Sequence, residues 1–153
     1  MVLAPVALYL HVPFCRSICP YCDFAVYAGS TASGPRSQVQ ALVDALHVEL
    51  DLRADTIGVD GARRRPAHGL NSVYLGGGTP SLLPARGVRA LLEHVDRRFG
   101  IANGAEVTME ANPGAEDRGD LAGFRAAGVT RLSVNPVGDD PLKLIEKVKA
   151  WAD

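Results

Sequence analysis

The hydrophobic residues of this chain follow two kinds of spacing, which alternate along the sequence. Nearly continuous apolar runs, typical of buried strands, occupy residues 6–12, 72–75, 106–111 and 129–134. Apolar residues recur every three or four positions, as on one face of a helix, in segments that begin near residues 37 and 84 and in two that carry Leu121 and Leu142. The alternation predicts an α/β fold of about four parallel βα units, with the first strand covered on both faces.

Turn-forming residues set the expected ends of these elements. Ser37 is the candidate N-cap of the first helix, which is expected to reach about Leu50, and residues 54–71 are expected to form a polar connector. Asn103–Gly104 predicts a turn before the third strand, and Gly128 predicts the end of the third helix.

The end of the chain differs in composition from the rest. Its lysines and its only tryptophan all lie after residue 142, whereas every earlier basic residue other than histidine is an arginine. We therefore divide the chain into a body, residues 1–135, and a divergent tail helix, residues 136–153, within the same domain. Chance in a short segment is the alternative explanation.

Length and composition exclude several classes of protein. With 153 residues, 47% of them hydrophobic, and a formal net charge of −1, the chain suits one domain with a core and offers no basic surface for nucleic acid. Its longest apolar stretch, residues 1–10, lacks a basic flank and is too short to span a bilayer. Because there is no export signal and the thiols are clustered, we expect a cytoplasmic protein.

The cysteines of the chain are Cys15, Cys19 and Cys22, spaced C-x3-C-x2-C after the first strand. An odd number of thiols on one short loop argues against a disulfide framework and favours a metal site. A structural zinc site needs four ligands, so zinc would also require His11, Asp23 or His47. A four-iron cluster on three cysteines instead leaves one iron open to another ligand.

Two further segments lie at strand ends, where the functional loops of a parallel sheet meet. Gly76–Pro80 follows the second strand, and its amides and the Thr79 hydroxyl could bind a carboxylate or phosphate. Glu110 ends the third strand and could accept hydrogen bonds from an amine or a ribose hydroxyl. Tyr9 and His11 share one face of the first strand, pointing either toward this site or into the core.

Together these segments resemble the radical S-adenosylmethionine superfamily, and within it the oxygen-independent coproporphyrinogen III oxidase group. The motifs that carry the resemblance are, in chain order, Tyr-Leu-His-Val-Pro-Phe-Cys, Cys-Pro-Tyr-Cys-Asp-Phe, Leu-Gly-Gly-Gly-Thr-Pro-Ser-Leu-Leu, Thr-Met-Glu-Ala-Asn-Pro-Gly and Gly-Val-Thr-Arg-Leu-Ser. Cys22-Asp23-Phe24 resembles the heme chaperone branch, because the oxidases carry a further cysteine where this chain has Phe24.

The resemblance implies a partial (βα) barrel of the radical S-adenosylmethionine type and a set of site residues. The implied ligands of a [4Fe–4S] cluster are Cys15, Cys19 and Cys22. The residues implied to contact S-adenosylmethionine are Tyr9, Tyr21, Gly77, Gly78, Thr79 and Glu110. In the heme chaperone branch, the implied partners are heme and a protein that accepts it.

The chain departs from the family pattern after residue 134. The family continues with Gly-Val-Gln-Ser, whereas this chain has Asn135-Pro136-Val137-Gly138. The family barrel has six βα units, so we expect a truncated barrel of four units with an open sheet edge, poorly soluble alone or paired as a homodimer through that edge. The sequence does not decide whether the chain is catalytic. The alternatives to a protein that binds a cluster and S-adenosylmethionine are a non-catalytic heme or iron–sulfur binding module and a structural zinc protein.

Overall fold

The computed structural model describes residues 5–32, 37–58, 69–114 and 117–134. The strands are β1 (Ala7–Val12), β2 (Phe14–Cys15), β3 (Tyr27–Ala28), β4 (Leu70–Gly77), β5 (Ile101–Ala111) and β6 (Arg131–Val134). The α-helices are α1 (Val39–Ile57), α2 (Ala85–Phe99) and α3 (Leu121–Ala127), with short 3-10 turns at Gly29–Thr31 and Pro80–Leu82. A parallel sheet in the order β1-β4-β5-β6 confirms the predicted α/β architecture.

The two faces of this sheet differ in character. One face joins the core formed with the helices, and its buried strand residues are Leu10, Val12, Val73, Leu75, Val107 and Met109. The opposite face carries the alternate positions, among them Tyr9, which is 55% exposed, and His11. The prediction that the first strand is covered on both faces is therefore wrong, because within the described residues the helices pack against one face.

Helix α1 is longer than the sequence pattern predicted. Its buried stripe continues past Leu50 to Ala54, and the helix ends at Gly58, whose left-handed φ of 69° allows its N–H to close the last turn. The predicted connector therefore begins too early, and residues 59–68 lie outside the described part. The N-cap position belongs to Gln38 rather than Ser37, although the Ser37 hydroxyl accepts a hydrogen bond from the Val39 N–H at 3.3 Å.

The second and third helices agree with their predicted faces and ends. The apolar residues that recur every three or four positions in the segment beginning near residue 84 form the buried face of α2, at Val88, Leu91, Leu92, Val95 and Phe99. Helix α3 begins where the Asp120 side chain accepts a hydrogen bond from the Gly123 N–H, and it ends at Gly128, which has a φ of 111°. The end at Gly128 was predicted because a glycine C-cap is a local property of the sequence, whereas the Asp120 cap was not predicted.

The predicted turn at Asn103–Gly104 is wrong, since both residues lie within β5. The pairing of β5 with β4 is irregular at this point: Leu70 pairs with Ile101, whereas Ser72 pairs with Glu106. Gly104 adopts a φ of 79°, so the residues that signal a turn serve here to absorb extra residues within a strand. Strand β4 is also longer than the predicted residues 72–75 and includes Gly76 and Gly77.

Two predictions, the tail helix and the homodimer, are not tested by the described residues. The divergent tail helix over residues 136–153, and with it the boundary at residue 135, lie beyond the described residues. Strands β1 and β6 form the lateral positions of the described sheet, so homodimerisation through an edge stays a prediction. None of the helices in the described segments combines the length and the apolar character that crossing a bilayer requires.

Candidate functional site

A cavity of about 490 Å³ opens beside the carboxyl ends of the central strands. All three cysteines line it, together with Tyr21, the segment Gly77–Thr79 and Glu110. Parallel strands direct their carboxyl ends to the same edge of a sheet, which brings the cysteine loop, the glycine run and Glu110 to one place. Eight of the nine residues predicted to form the site line this cavity. They are the three cysteines, Tyr21, Gly77, Gly78, Thr79 and Glu110.

Cys15 differs from the other two cysteines in its surroundings. It ends β2 and is buried, whereas Cys19 and Cys22 are half-buried. Burial raises the pKa of the Cys15 thiol, and a hydrogen bond from the Thr79 hydroxyl, at an O–S distance of 3.6 Å, opposes that rise. A bound metal centre would favour the thiolate and displace the thiol proton, which burial makes harder to remove.

The cysteine loop is held at both ends by contacts that the sequence did not reveal. Strands β2 and β3 pair in parallel, and the Tyr27 N–H donates to the Pro13 carbonyl at 2.7 Å. Arg16, which follows β2 in sequence, forms an ion pair with Asp117, with 2.9 Å between Nε and Oδ1. Strands of two residues have no recognisable hydrophobic period, so this small sheet could not be predicted from the pattern.

The space above the glycine run is filled by groups of the chain itself. A Cβ atom on Gly76 would lie 2.6 Å from the Tyr74 ring, and one on Gly77 would lie 2.6 Å from the His11 ring. A Cβ on Gly78 would lie 2.6 Å from the Phe14 carbonyl oxygen and 2.9 Å from the sulfur of Cys15. The glycines therefore permit close packing of the strand end against the cysteine loop.

The amides of this run are engaged within the chain, which corrects the expectation that they donate to a bound ligand. The Gly78 N–H donates to the Val12 carbonyl at 2.8 Å, and the Thr79 N–H donates to the Phe14 carbonyl at 2.7 Å. The Gly77 N–H donates to Glu110 Oε2 at 2.9 Å. The physical reason is that the segment after β1 continues alongside the end of β4 and takes up its donors.

Glu110 is the acidic residue at the centre of this arrangement. Its second carboxylate oxygen, Oε1, accepts a hydrogen bond from the Tyr74 hydroxyl at 2.8 Å. Sequence reasoning missed Tyr74, because its contact with Glu110 depends on the register between two strands. Tyr74 lies on the same strand face as Gly76, and the register of β4 with β5 pairs it with Thr108, two residues before Glu110.

The two tyrosines expected at the cofactor pocket have different positions. Tyr21 lines the cavity, and a hydrogen bond to Cys19 is the largest of the causes that raise its pKa. Tyr9 stands outside the cavity wall, where its hydroxyl lies 3.0 Å from His11 Nδ1 and its ring stacks on Tyr74 with 6.0 Å between centroids. Burial, followed by the charge of Glu110, raises the pKa of Tyr9.

The geometry bears on the two metal centres that the cysteines could form. Across the described ranges, no three side chains of His, Cys, Asp or Glu converge as ligands of one ion. His47, a candidate fourth zinc ligand, instead packs edge-on against His94 between α1 and α2, with 4.9 Å between ring centroids. Asp23, another candidate zinc ligand, lines the cavity with the cysteines. A four-iron cluster distributes its thiolates over separate irons, so three thiols lining one roomy cavity also fit such a cluster.

Comparison with known proteins decides the family. The model of the Radical SAM superfamily matches residues 9–152 of this chain. The chain belongs to the radical SAM superfamily. The resemblance drawn from the cysteine, glycine and Glu110 motifs is therefore confirmed.

Similar proteins narrow the kinship within this superfamily. The chain is 32% identical to "Heme chaperone HemW" of Haemophilus influenzae over 99% of its own length and 38% of that protein. It is 34% identical to HemW of Escherichia coli over 95% of its length and 36% of that protein. It is 41% identical to HemW of Mycobacterium tuberculosis over 85% of its length and 31% of that protein. The chain spans about a third of the length of these relatives.

A solved structure supports the fold. The chain superposes on coproporphyrinogen III oxidase (HemN) from Escherichia coli, described as a radical SAM enzyme, with a TM-score of 0.71. The match covers 97% of this chain and 35% of the oxidase, at 23% sequence identity. The predicted partial barrel of the radical SAM type is thus confirmed as a fold.

Proposed function

We propose that this chain binds a [4Fe–4S] cluster through Cys15, Cys19 and Cys22 and S-adenosylmethionine in the adjoining cavity. The observation that carries the proposal is the presence of all three thiols, the Gly77–Thr79 segment and Glu110 in the wall of one cavity. Membership of the radical SAM superfamily supports it, because that family implies both cofactors. When bound, the cluster supplies one electron for reductive cleavage of the sulfonium.

The residues of the chain would bind, orient and tune these groups. The three cysteine thiolates would hold the cluster, and the Thr79 hydroxyl would donate a hydrogen bond to the sulfur of Cys15. Hydrogen bonds to cluster sulfurs help to set the reduction potential. Glu110, whose carboxylate only accepts hydrogen bonds, would orient a ligand that presents donors, and Tyr21 would cover one side of the cavity.

Anaerobic reconstitution with iron and sulfide tests the cluster. We expect about four irons per chain and broad visible absorption. A variant in which the three cysteines are replaced by serine is expected to lose the iron and to bind S-adenosylmethionine more weakly than the parent chain does. Stoichiometric zinc without iron, or equal iron in the serine variant, would contradict the proposal.

Heme handling is the further part of this proposal. Relatives named heme chaperones support heme as the cargo, with a heme-accepting protein as the partner. Phe24 lines the cavity and supplies apolar surface at its mouth. Titration with heme, followed by transfer to an apoprotein, tests this part independently of iron–sulfur content. Binding of the cluster without any heme would contradict the heme part of the proposal and leave an iron–sulfur binding module.

The thiols and the sheet edge support two further proposals, one on the cell compartment and one on the oligomeric state. We place the chain in the cytoplasm because an oxygen-sensitive thiolate centre needs a reducing compartment. We also propose pairing of two copies through a sheet edge, since β1 and β6 are the edge strands of the described sheet and an edge strand is a template for association. Sedimentation that shows a compact monomer, together with the absence of dye binding to apolar surface, would contradict the dimer.

A further inference from the structure

Tyr74 and Glu110 are held together although 36 residues separate them in sequence. We infer that Tyr74 is a positioning residue that fixes Glu110 as the acceptor for the sugar hydroxyls of the bound nucleotide. This inference rests on the proposed function, because it assigns a specificity role within the proposed S-adenosylmethionine site. Neither the family motif nor the sequence pattern assigns a role to Tyr74.

The geometry around Glu110 leaves the carboxylate fixed but not saturated. The Tyr74 hydroxyl donates to Oε1 at 2.8 Å, and the Gly77 N–H donates to Oε2 at 2.9 Å. One donor on each oxygen fixes the plane of the carboxylate. Each carboxylate oxygen accepts about two hydrogen bonds, so both retain capacity toward the cavity that Glu110 lines.

Tyr74 is itself held in place. Its ring stacks on Tyr9 with an interplanar angle of 21°, and the Tyr9 hydroxyl lies 3.0 Å from His11 Nδ1. The ring also covers Gly76, where a Cβ would lie 2.6 Å from Tyr74 Cε1. Because its neighbours restrain the ring on two sides, the hydroxyl is presented to Glu110 in one orientation.

The Tyr74 phenol is kept in its donating form. Burial raises the pKa of Tyr74, and the hydrogen bond to Glu110 raises it further, against smaller opposing effects of Ser133 and Arg131. The phenol therefore retains its proton at neutral pH and donates to the carboxylate. A donor that persists across the working pH range can hold Glu110 whether or not ligand is present.

The order of contacts along the strand end identifies the part of the ligand that Glu110 meets. Gly78 contacts Cys15, and the preceding residue, Gly77, donates to Glu110. A cluster on three cysteines leaves one iron open, and the amino and carboxylate groups are the iron ligands that S-adenosylmethionine offers, so we place its methionine part at the cluster. The hydrogen-bond donors that come next along the ligand are the ribose hydroxyls, because the ribose is bonded to the sulfonium, whereas the adenine amino group lies farther away.

The experiment compares two ligands on the reconstituted 153-residue chain: S-adenosylmethionine and an analogue that lacks both ribose hydroxyls. We expect the parent chain to prefer S-adenosylmethionine, and Tyr74→Phe to reduce its affinity about five- to tenfold while changing the affinity for the analogue little. Tyr27→Phe, which alters an exposed phenol on β3, serves as the matched control. In a Glu110→Gln background, Tyr74→Phe is expected to have no further effect.

The outcomes separate this inference from the proposed function. Equal loss for both ligands, or no change in Tyr74→Phe, would overturn the role of Tyr74 while leaving the cofactor site intact. Failure of the parent chain to bind either ligand would overturn the proposed function and this inference with it. If Tyr74→Phe loses iron, Gly76→Ala is measured instead. It displaces the ring and keeps the hydroxyl, so unchanged ligand preference in that variant would contradict the inference.

Discussion

The hydroxyl of Thr79 lies 3.6 Å from the sulfur of Cys15, across a sequence separation of 64 residues. Thr79 is 2% exposed, so little water competes for this contact. The hydrogen bond lowers the pKa of Cys15 against the larger effect of burial, which raises it. It is therefore a direct connection between the end of β4 and the cysteine loop.

Loss of this hydroxyl should change the electronic properties of a bound cluster. A hydrogen bond to a ligand sulfur stabilises the reduced state, so Thr79→Val is expected to lower the reduction potential by tens of millivolts. Redox titration of the reconstituted chain measures the shift, with Thr79→Ser expected to restore the parent value. Thr56→Val, on the exposed side of α1, is the control. An unchanged potential in Thr79→Val would contradict the role of the hydroxyl.

The close packing around Gly78 should make this position intolerant of a larger residue. Gly78→Ala would place a Cβ 2.6 Å from the Phe14 carbonyl oxygen and 2.9 Å from the sulfur of Cys15. Because both neighbours are on the cysteine loop, we expect a loss of about 1–3 kcal/mol in the free energy of unfolding and reduced iron retention. Chemical denaturation and iron analysis provide the measurements. Gly114→Ala, where the nearest atom would be 3.7 Å away, should change neither.

The core under the sheet should dominate the stability of the chain. Leu75 is fully buried in β4, so Leu75→Ala is expected to reduce the free energy of unfolding by about 2–5 kcal/mol. Leu52, on the outer side of α1, is 62% exposed, and Leu52→Ala should change it by less than about 0.5 kcal/mol. Equal effects of the two substitutions on the denaturation midpoint would show that the helices do not cover this face in solution.

Alkaline pH should weaken the fold through Tyr74. Its pKa is raised above the ordinary value of 10.0, so the folded chain holds this proton more tightly than the unfolded chain does. The contribution to stability is complete below about pH 10 and is lost as the pH rises through the raised pKa. Denaturation of the parent chain between about pH 9 and about pH 11 should show a steeper decline than denaturation of Tyr74→Phe. Parallel curves would argue against the phenol as the titrating group.

The sequence by itself determined the order of the long strands and helices and which end of the sheet carries chemistry. The apolar period of α2 and the glycine that ends α3 are local features, and each was predicted from neighbouring residues. The meeting of the cysteine loop with Gly77 and Glu110 also followed from sequence, because the carboxyl ends of parallel strands share one edge.

Tertiary structure alone decided which partners meet within that site. The irregular pairing at Asn103–Gly104 shifts β5 against β4, and this shift determines which residues of the two strands lie side by side. The hydrogen bond from Tyr74 to Glu110 and the ion pair of Arg16 with Asp117 depend on that lateral register and on two-residue strands. Neither leaves a periodic signal, because the residues in each pair are far apart in sequence and meet only when separate elements pack.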